Sequence, residues 1–466
     1  MTDGASSAAS RLHELIAADR VLTDAARCAA YEVDGMRPSA VLQPESAAEI
    51  AEILRFAAAE NLAVIPMGGR TKLAIGMPPK RFDLALDLSR MNRVLAYDPR
   101  DLTCGVEAGV LFADLDRQLA SERQFLPLAP AFADRATCGG IVAAGADSPL
   151  RHAYGSVRDY LLGVEFVTGD AVASKSGGRV VKNVTGYDLH KLLIGSLGTL
   201  AVITRLNFRT FPLPPEQQTF VASFANAESA SAWCAAIAKS PLQPKLVEVL
   251  DPGTAKLFAA QGPRPLGPGL KLDRWSAVVM ASGQRAVVER HAHDLEKLAR
   301  EKNAAAFSAL DKSEESALLR CISEFPSQVL ETFPSAAIFR IAVLPSAIPD
   351  LLRQFTTALQ RFDMNCAILV RASGVVYVAL LPAAPDAQSA ASASLAQACR
   401  ELMDLGVALG VRPIIEWCPP AVKHELAAAG KSIWPPAGTE QVLAERLKKV
   451  FDPHGVLAPG RFQGGI

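Results

Sequence analysis

Residues Lys182 to Thr204, KNVTGYDLHKLLIGSLGTLAVIT, constrain the fold more than any other stretch. Gly186, Gly195 and Gly198 interrupt an apolar run that ends in the strand-like Leu200-Ala201-Val202-Ile203-Thr204. A glycine supplies a left-handed turn or lets another group approach the backbone closely, and keeping it ordered costs entropy. Two readings fit: the wall of a ligand site, or a helix ending at Gly195, a turn and the next strand. The flanking chain decides between them.

A chain of 466 residues predicts two or more domains. Half of it is hydrophobic and 21% charged, enough apolar matter for a sizeable core. Lys+Arg and Asp+Glu both number 48, so no net basic face favours nucleic acid, and 6% aromatic residues give little to stack single strands on. No unbroken apolar run reaches the roughly 20 residues a bilayer demands. The start, MTDGASSAAS, lacks a basic segment followed by an apolar one, so a secretory signal is not expected and the expected location is cytoplasmic. Eight scattered cysteines without a CxxC read as small buried hydrophobes in a reducing compartment, and argue against zinc ribbons and iron–sulfur ligation.

In chain order, Ser10 to Asp19 predicts a short helix. Ser46 caps a second helix, with Glu49 three residues on and Ile50, Ile53, Leu54 and Ala57 as its apolar stripe. Leu62 to Pro66 is a strand, and helix followed by short buried strand is an α/β rhythm. It runs into Met67-Gly68-Gly69-Arg70-Thr71-Lys72-Leu73. Consecutive glycines let successive amides converge on an anion, Thr71 adds a hydroxyl, and Arg70 or Lys72 adds charge; a diphosphate is the natural ligand. Neither common nucleotide-loop pattern is present. Strands follow at Asp83–Leu88, Val94–Tyr97 and Leu102–Gly109, a helix at Val110–Ala120, and an extended Leu126–Pro130. The small residues of Ala136 to Gly145 let a flat group or a neighbouring element come close. Strand Leu161–Val167 turns at Thr168-Gly169-Asp170 and pairs back, and Leu206–Phe211 closes this part before Pro212, Pro214 and Pro215.

The middle of the chain predicts strands at Thr219–Phe224, Lys245–Leu250, Trp275–Ala281, Ala337–Val343, Cys366–Ala372 and Val375–Leu381. Helices are expected at Ala227–Ala238, Arg285–Lys302, Ile348–Arg361 and Ser389–Met403. This is an α+β pattern, a mainly antiparallel sheet with helices on one side and a hint of two similar halves. Gly262 to Gly269 is a loop, and Ala383 to Ser394 begins as a soft insertion. A helix at Glu440–Val450 and the turn-rich Phe451 to Arg461 form a strap expected to lie back on the first domain. The division is therefore an N-terminal extension 1–36, a first domain 37–212, an α+β cap 213–430 and a strap 431–466. His291 and His293 share a helix expected to face solvent, on different faces, so no metal is expected there.

Together these pieces resemble flavoproteins of the vanillyl-alcohol oxidase type, the PCMH FAD-binding fold. The markers are Pro66 to Leu73, Gly105-Val106-Glu107-Ala108-Gly109, Thr137 to Ala143, Tyr154-Gly155-Ser156-Val157-Arg158-Asp159 with Leu162-Gly163, and Gly195 to Leu200 with Val202-Ile203-Thr204. Within that class, Gly178 to Leu200 with Lys182 to Asp188 at its centre, and Phe451 to Gly455 with Pro459-Gly460-Arg461, resemble the FAD-binding subunits of bacterial glycolate oxidases.

The resemblance implies an α+β fold, with a PCMH-type FAD-binding domain of two α/β subdomains and an α+β cap. It implies FAD, held without a covalent bond at the loop, because Arg70 stands where covalent members carry histidine. By position Pro66, Met67, Gly68, Gly69, Arg70, Thr71 and Leu73 would hold the diphosphate. Thr137, Gly139, Gly140 and Ala143 would border ribityl and diphosphate, and Gly198, Val202 and Ile203 would lie near flavin and adenine. Pro130, Tyr154, Gly155, Ser156, Arg158 and Asp159 complete the implied set. The implied activity is that of a flavin subunit of a glycolate or related 2-hydroxy-acid dehydrogenase complex. Its partners would be a small 2-hydroxy acid, a second flavin subunit and an iron–sulfur subunit, with only indirect membrane contact. Related catalytic subunits carry a histidine-rich metal and base cluster with a GDGN-type segment; this chain has none, and Glu416-Trp417-Cys418 supplies no histidine pair. His190 is the one candidate base, with a structural hydrogen bond as its competing role. Arg151, Arg158, Tyr187 and Arg461 are candidates for cofactor or carboxylate, or for fixing loops.

Overall fold

The computed structural model describes residues 11–179, 186–261, 266–267, 269–362, 364–382 and 388–466. Lys182 to Thr185 of the opening stretch, Gly262 to Pro265 and Pro268 of the loop, and Ala383 to Ala387 lie outside the described residues.

The first sheet holds β1 (Val21–Leu22), β2 (Ala40–Leu42), β3 (Val64–Met67) and β4 (Leu84–Asp87) in the order β1-β2-β4-β3. β4 runs parallel to both neighbours, with Ala85 opposite Val41 on one side and Ile65 on the other. Parallel neighbours need a crossover, and the helix Ala47–Ala59 supplies one. Ser46 caps it, its hydroxyl accepting from the Glu49 amide at 3.2 Å, and Ile50, Ile53, Leu54 and Ala57 are fully buried, as the stripe predicts.

The chain then lays down β5 (Val94–Asp98), β6 (Thr103–Glu107), a short β7 (Gln124–Phe125), β8 (Leu161–Thr168), β9 (Ala173–Gly177), β10 (Ala201–Arg209) and a short β11 (Phe211–Pro212). Five of them form an antiparallel sheet in the order β5-β6-β10-β8-β9, while β7 pairs with β11. The segments read as two strands around Leu200–Thr204 and Leu206–Phe211 are largely one strand. Its register against β8 slips between Ile203 and Arg205, and that irregularity breaks the alternation that a regular strand would show in sequence.

The third sheet has eight strands: β12 (Glu216–Phe224), β13 (Leu246–Leu250), β14 (Trp275–Gly283), β15 (Ala306–Ala309), β16 (Ala337–Ala342), β17 (Asn365–Arg371), β18 (Val375–Leu381) and β19 (Arg412–Trp417). Their order is β15-β12-β14-β13-β17-β18-β16-β19, every pair antiparallel. Apart from an extra helix, Pro252–Gln261, between the second and third strands of the first half, each half repeats strand–helix–strand–strand–helix–strand in the same spatial order, and the halves join where Glu248 of β13 faces Arg371 of β17. This is an α+β fold with an antiparallel cap sheet.

Helices do not lie on one side only. Phe220, Ala222 and Phe224 pack with Trp233, Leu295, Phe355 and Leu402 of the four long helices. Val221, Leu246 and Val278 point the other way, onto Phe258, Leu318, Ile322 and Phe325 from helices Pro252–Gln261, Lys312–Ser323 and Phe325–Thr332. Both faces of the sheet are thus covered, which explains its near-continuous apolar runs. Ile75, Ala144 and Leu197 of the first two sheets' loops join this second layer, so that face meets the rest of the molecule.

Candidate active site

β3 ends at Met67, and the backbone that follows cannot carry side chains at Gly68 and Gly69. A Cβ on Gly68 would overlap the Thr137 hydroxyl, and one on Gly69 the Arg135 carbonyl oxygen. Arg70 sits in the left-handed region (φ 57°), its guanidinium 4.3 Å from the centre of the Tyr31 ring. The N–H groups of Gly69, Arg70 and Thr71 have no acceptor among the described residues. Opposite them, Thr137 caps the helix Cys138–Ala144 by accepting from the Gly140 amide at 3.3 Å, and Gly139 lies so close to Ala108 that a Cβ would come within 2.7 Å of its methyl. Gly198, at φ 71°, packs on Pro66. These three segments enclose an open cleft, about 810 Å³ with the solvent at its mouth included. Free loop amides on one wall and glycine and alanine on the other fit a long, flat, diphosphate-bearing group such as FAD.

Of the sequence-derived residues, Pro66, Met67, Gly68, Gly69, Arg70, Thr71, Leu73, Thr137, Gly139, Gly140, Ala143, Gly198 and Ile203 line this cleft. Val202 is buried beneath it. Ser156 and Arg158 line an adjoining cleft with Asp147, Lys191, Arg340 and Glu416. Pro130, Tyr154, Gly155 and Asp159 line neither. Tyr154 stacks edge-on against Phe125 and Phe211, and Asp159 accepts from the Ser156 amide at 2.7 Å. His190 is buried, its Nδ1 3.1 Å from the Ser176 hydroxyl, away from both clefts; burial lowers its pKa. Tyr187 is 90% exposed. His291, expected at the surface, is instead buried because it continues the stripe of Val288, Leu295 and Ala299; its Nδ1 meets the Val287 carbonyl at 2.8 Å. His293 is exposed, and among the described residues no group of three or more His, Cys, Asp or Glu could hold a metal ion. Six of the eight cysteines are buried and all are unpaired.

The loop that continues from the cleft, Leu73 to Met77, is fastened by two buried cations. Arg461 donates to Asp34 at 3.2 Å, to the carbonyl of Met77 at 3.3 Å, and to the carbonyls of Leu73 and Ile75. Lys423 donates to both Asp34 oxygens (2.8 and 2.9 Å) and to the carbonyls of Ala74 and Gly76 at 2.7 and 2.8 Å. Arg461, one of the carboxylate candidates, thus fixes the loop. Lys448 performs a similar task for the third wall, donating to the carbonyls of Thr199 and Leu457 and to Asp452.

Beyond the cleft lies a smaller compartment, about 350 Å³, bordered by Lys72, Asp147, Arg371, Tyr377, Glu416 and Trp417. Arg371 donates to Glu248 at 2.9 Å and lies 2.6 Å from Asp147. Arg340 of β16 pairs with Glu416 of β19. Burial pushes Glu248 up to about 8, with Arg371 opposing. Burial also lowers the Lys72 pKa, against the pull of Glu416 and Glu324. Sequence reading missed Arg340, Arg371 and Tyr377. The available signal was a charged residue inside otherwise apolar strands, AIFRIA and NCAILVR, where burial demands a partner.

Comparison with known proteins gives this arrangement its class. Residues 38–174 match the FAD binding domain family and residues 213–410 the C-terminal domain of FAD linked oxidases, together well over half of the chain. The chain belongs to the FAD-linked oxidases and is an FAD-dependent oxidoreductase. Glycolate oxidase subunit GlcD of Bacillus subtilis is 25% identical over 91% of this chain and 88% of that protein. Glycolate oxidase subunit GlcE of Escherichia coli is 34% identical, but over 35% of this chain and 46% of that protein, so the chain matches less than half of the latter's length. The structure of 4-ethylphenol oxidase from Gulosibacter chungangensis superposes with a TM-score of 0.77 at 18% identity, covering 99% of this chain and 97% of that one, a likeness of fold.

Proposed function

We propose that this chain is the FAD-containing subunit of a glycolate or related 2-hydroxy-acid dehydrogenase complex. In this reading residues 37–212 hold FAD, 213–430 cap the substrate and 431–466 strap the two together. Pro66 to Thr71, Leu73, Thr137, Gly139, Gly140, Ala143, Gly198 and Ile203 border the cofactor. The observation that carries the reading is the small charged compartment beyond the glycine-lined cleft, bordered by Lys72, Arg371 and Glu416. Bound FAD supplies two-electron acceptance from the carbon bearing a hydroxyl. The chain's own residues orient that carbon: a cation of the compartment holds the acid, Trp417 covers it, and the cap sheet excludes water. Partners would be a second flavin subunit and an iron–sulfur subunit. Among the described residues no helix is long and apolar enough to cross a membrane, so any membrane contact would pass through those partners, with the complex on the cytoplasmic side.

A second reading, a self-sufficient FAD oxidoreductase, is favoured by one finding: the D-2-hydroxyglutarate dehydrogenase of Xanthomonas citri, whose name marks no subunit, is 33% identical over 45% of this chain and 46% of that protein. One assay separates them. Anaerobic bleaching of the flavin by glycolate or D-lactate in the isolated chain supports self-sufficiency; bleaching only with co-purified partners supports the complex. A flavin that neither acid reduces in either preparation removes glycolate and D-lactate as substrates under both readings.

A further inference from the structure

The charges that converge on the inner compartment are matched with one exception. Arg340 is committed to Glu416, and Arg371 to Glu248 and Asp147. Glu324 accepts from the Phe132 and Ala133 amides at 2.6 and 3.0 Å. Lys72 is different. It is half-buried, it borders both the cleft and the compartment, and its neighbour is the face of Trp417, 5.3 Å from Nζ to the ring centre. Among the described residues no carboxylate stands within ion-pair distance of its ammonium; Glu416 and Glu324 act on it only from further away. An ammonium removed from water without a hydrogen-bonding partner is costly, and the cost is relieved when an anion enters beside it. A compact point charge on a flexible stem suits one carboxylate.

We propose that Lys72 binds the carboxylate of the substrate, and that the compartment thereby selects small acids over neutral alcohols of the same size. This rests on the reading of the site as that of a 2-hydroxy-acid oxidoreductase. The carboxylate docks on the ammonium at the junction of cleft and compartment, which leaves the hydroxyl-bearing carbon on the cleft side. Lys72 lies within the loop that faces the diphosphate, so one segment serves cofactor with its backbone and substrate with its side chain.

The test uses the full FAD-loaded chain and a probe that cannot turn over. Oxalate is titrated while the flavin absorption spectrum is recorded, with neutral glycolamide as its control. A saturable shift with oxalate and none with glycolamide is expected. Lys72→Met is expected to raise the oxalate Kd about 30-fold while Lys72→Arg stays within about fivefold; Lys72→Gln serves as the second neutral variant if the Met variant does not accumulate. FAD content is expected to stay equimolar in all of them. Equal oxalate affinity in the wild type and the neutral variants overturns the role of Lys72 and leaves the functional reading standing. An absence of any oxalate response in the wild type overturns both. Loss of FAD from the neutral variants also overturns it, since Lys72 would then belong to the cofactor cradle.

Discussion

The cleft and the compartment behind it are built from opposite materials. The cleft is backbone and small side chains: Gly68, Gly69, Gly139 and Gly140 are pressed against neighbours that admit no Cβ or almost none, and each wall is one short contiguous segment. The compartment is long charged side chains, brought together from β13, β16, β17 and β19 and from Lys72 and Asp147 of the first two sheets' loops. The first kind of site fails by steric overlap. The second fails by leaving a charge unmatched away from water. A single chain thus meets a large, flat cofactor with shape and a small reactant with electrostatics.

The contrast is sharpest at Arg371. Replacing it with Met leaves Asp147 and Glu248 buried without their guanidinium, and breaking a buried pair of this kind costs about 4 kcal/mol. Chemical denaturation of Arg371→Met is expected to show that loss while any correctly folded fraction still takes up FAD. Glu248 adds a pH signature. Its folded pKa, about 8, lies above the 4.5 of an ordinary glutamate, so the folded chain holds the proton more tightly than the unfolded one. The contribution of Glu248 to stability is therefore expected to fall as pH rises from about 4.5 to about 8, read as the difference between the wild type and Glu248→Gln. A difference that stays flat across this window would break the assignment.

Gly69→Val tests the other region. Its side chain meets a backbone carbonyl, which cannot rotate away, and overpacking is expected to cost about 2–3 kcal/mol, read as flavin lost on gel filtration with the cap's compartment intact. The smallest effect is expected at Thr137→Ala. It removes one cap from a short helix, worth about 1 kcal/mol, and should lower the melting temperature without emptying the cleft. If it empties the cleft, the wall depends on that hydroxyl and not on shape alone.

The same contrast decides what could be read from sequence. The cleft was legible because its requirements are local: two glycines after a strand, or a run such as Thr137-Cys138-Gly139-Gly140, state their geometry within a few residues. Both readings of the opening stretch hold part of the truth, since Gly198 borders the cleft and Leu200 leads into β10. The compartment was not legible because Glu248 and Arg371 are 123 positions apart and meet only through strand register. Tyr154 and Asp159 sat in a recognisable motif, yet one packs among Phe125 and Phe211 and the other caps a helix turn. The three helices on the inner face of the cap, Pro252–Gln261, Lys312–Ser323 and Phe325–Thr332, escaped notice. The capping box Asp311–Glu314 and Pro326 at the start of a helix were their local signals.

The fastening of Leu73 to Met77 has a consequence in time. Asp34 and the loop itself are synthesised well before Lys423 and Arg461, which close around them. A nascent chain can form the Gly68–Gly69 and Gly139–Gly140 walls of the cleft and still lack the clasp on the segment that follows its phosphate-facing loop. The clasp therefore closes only after the segment carrying Arg461 has been made.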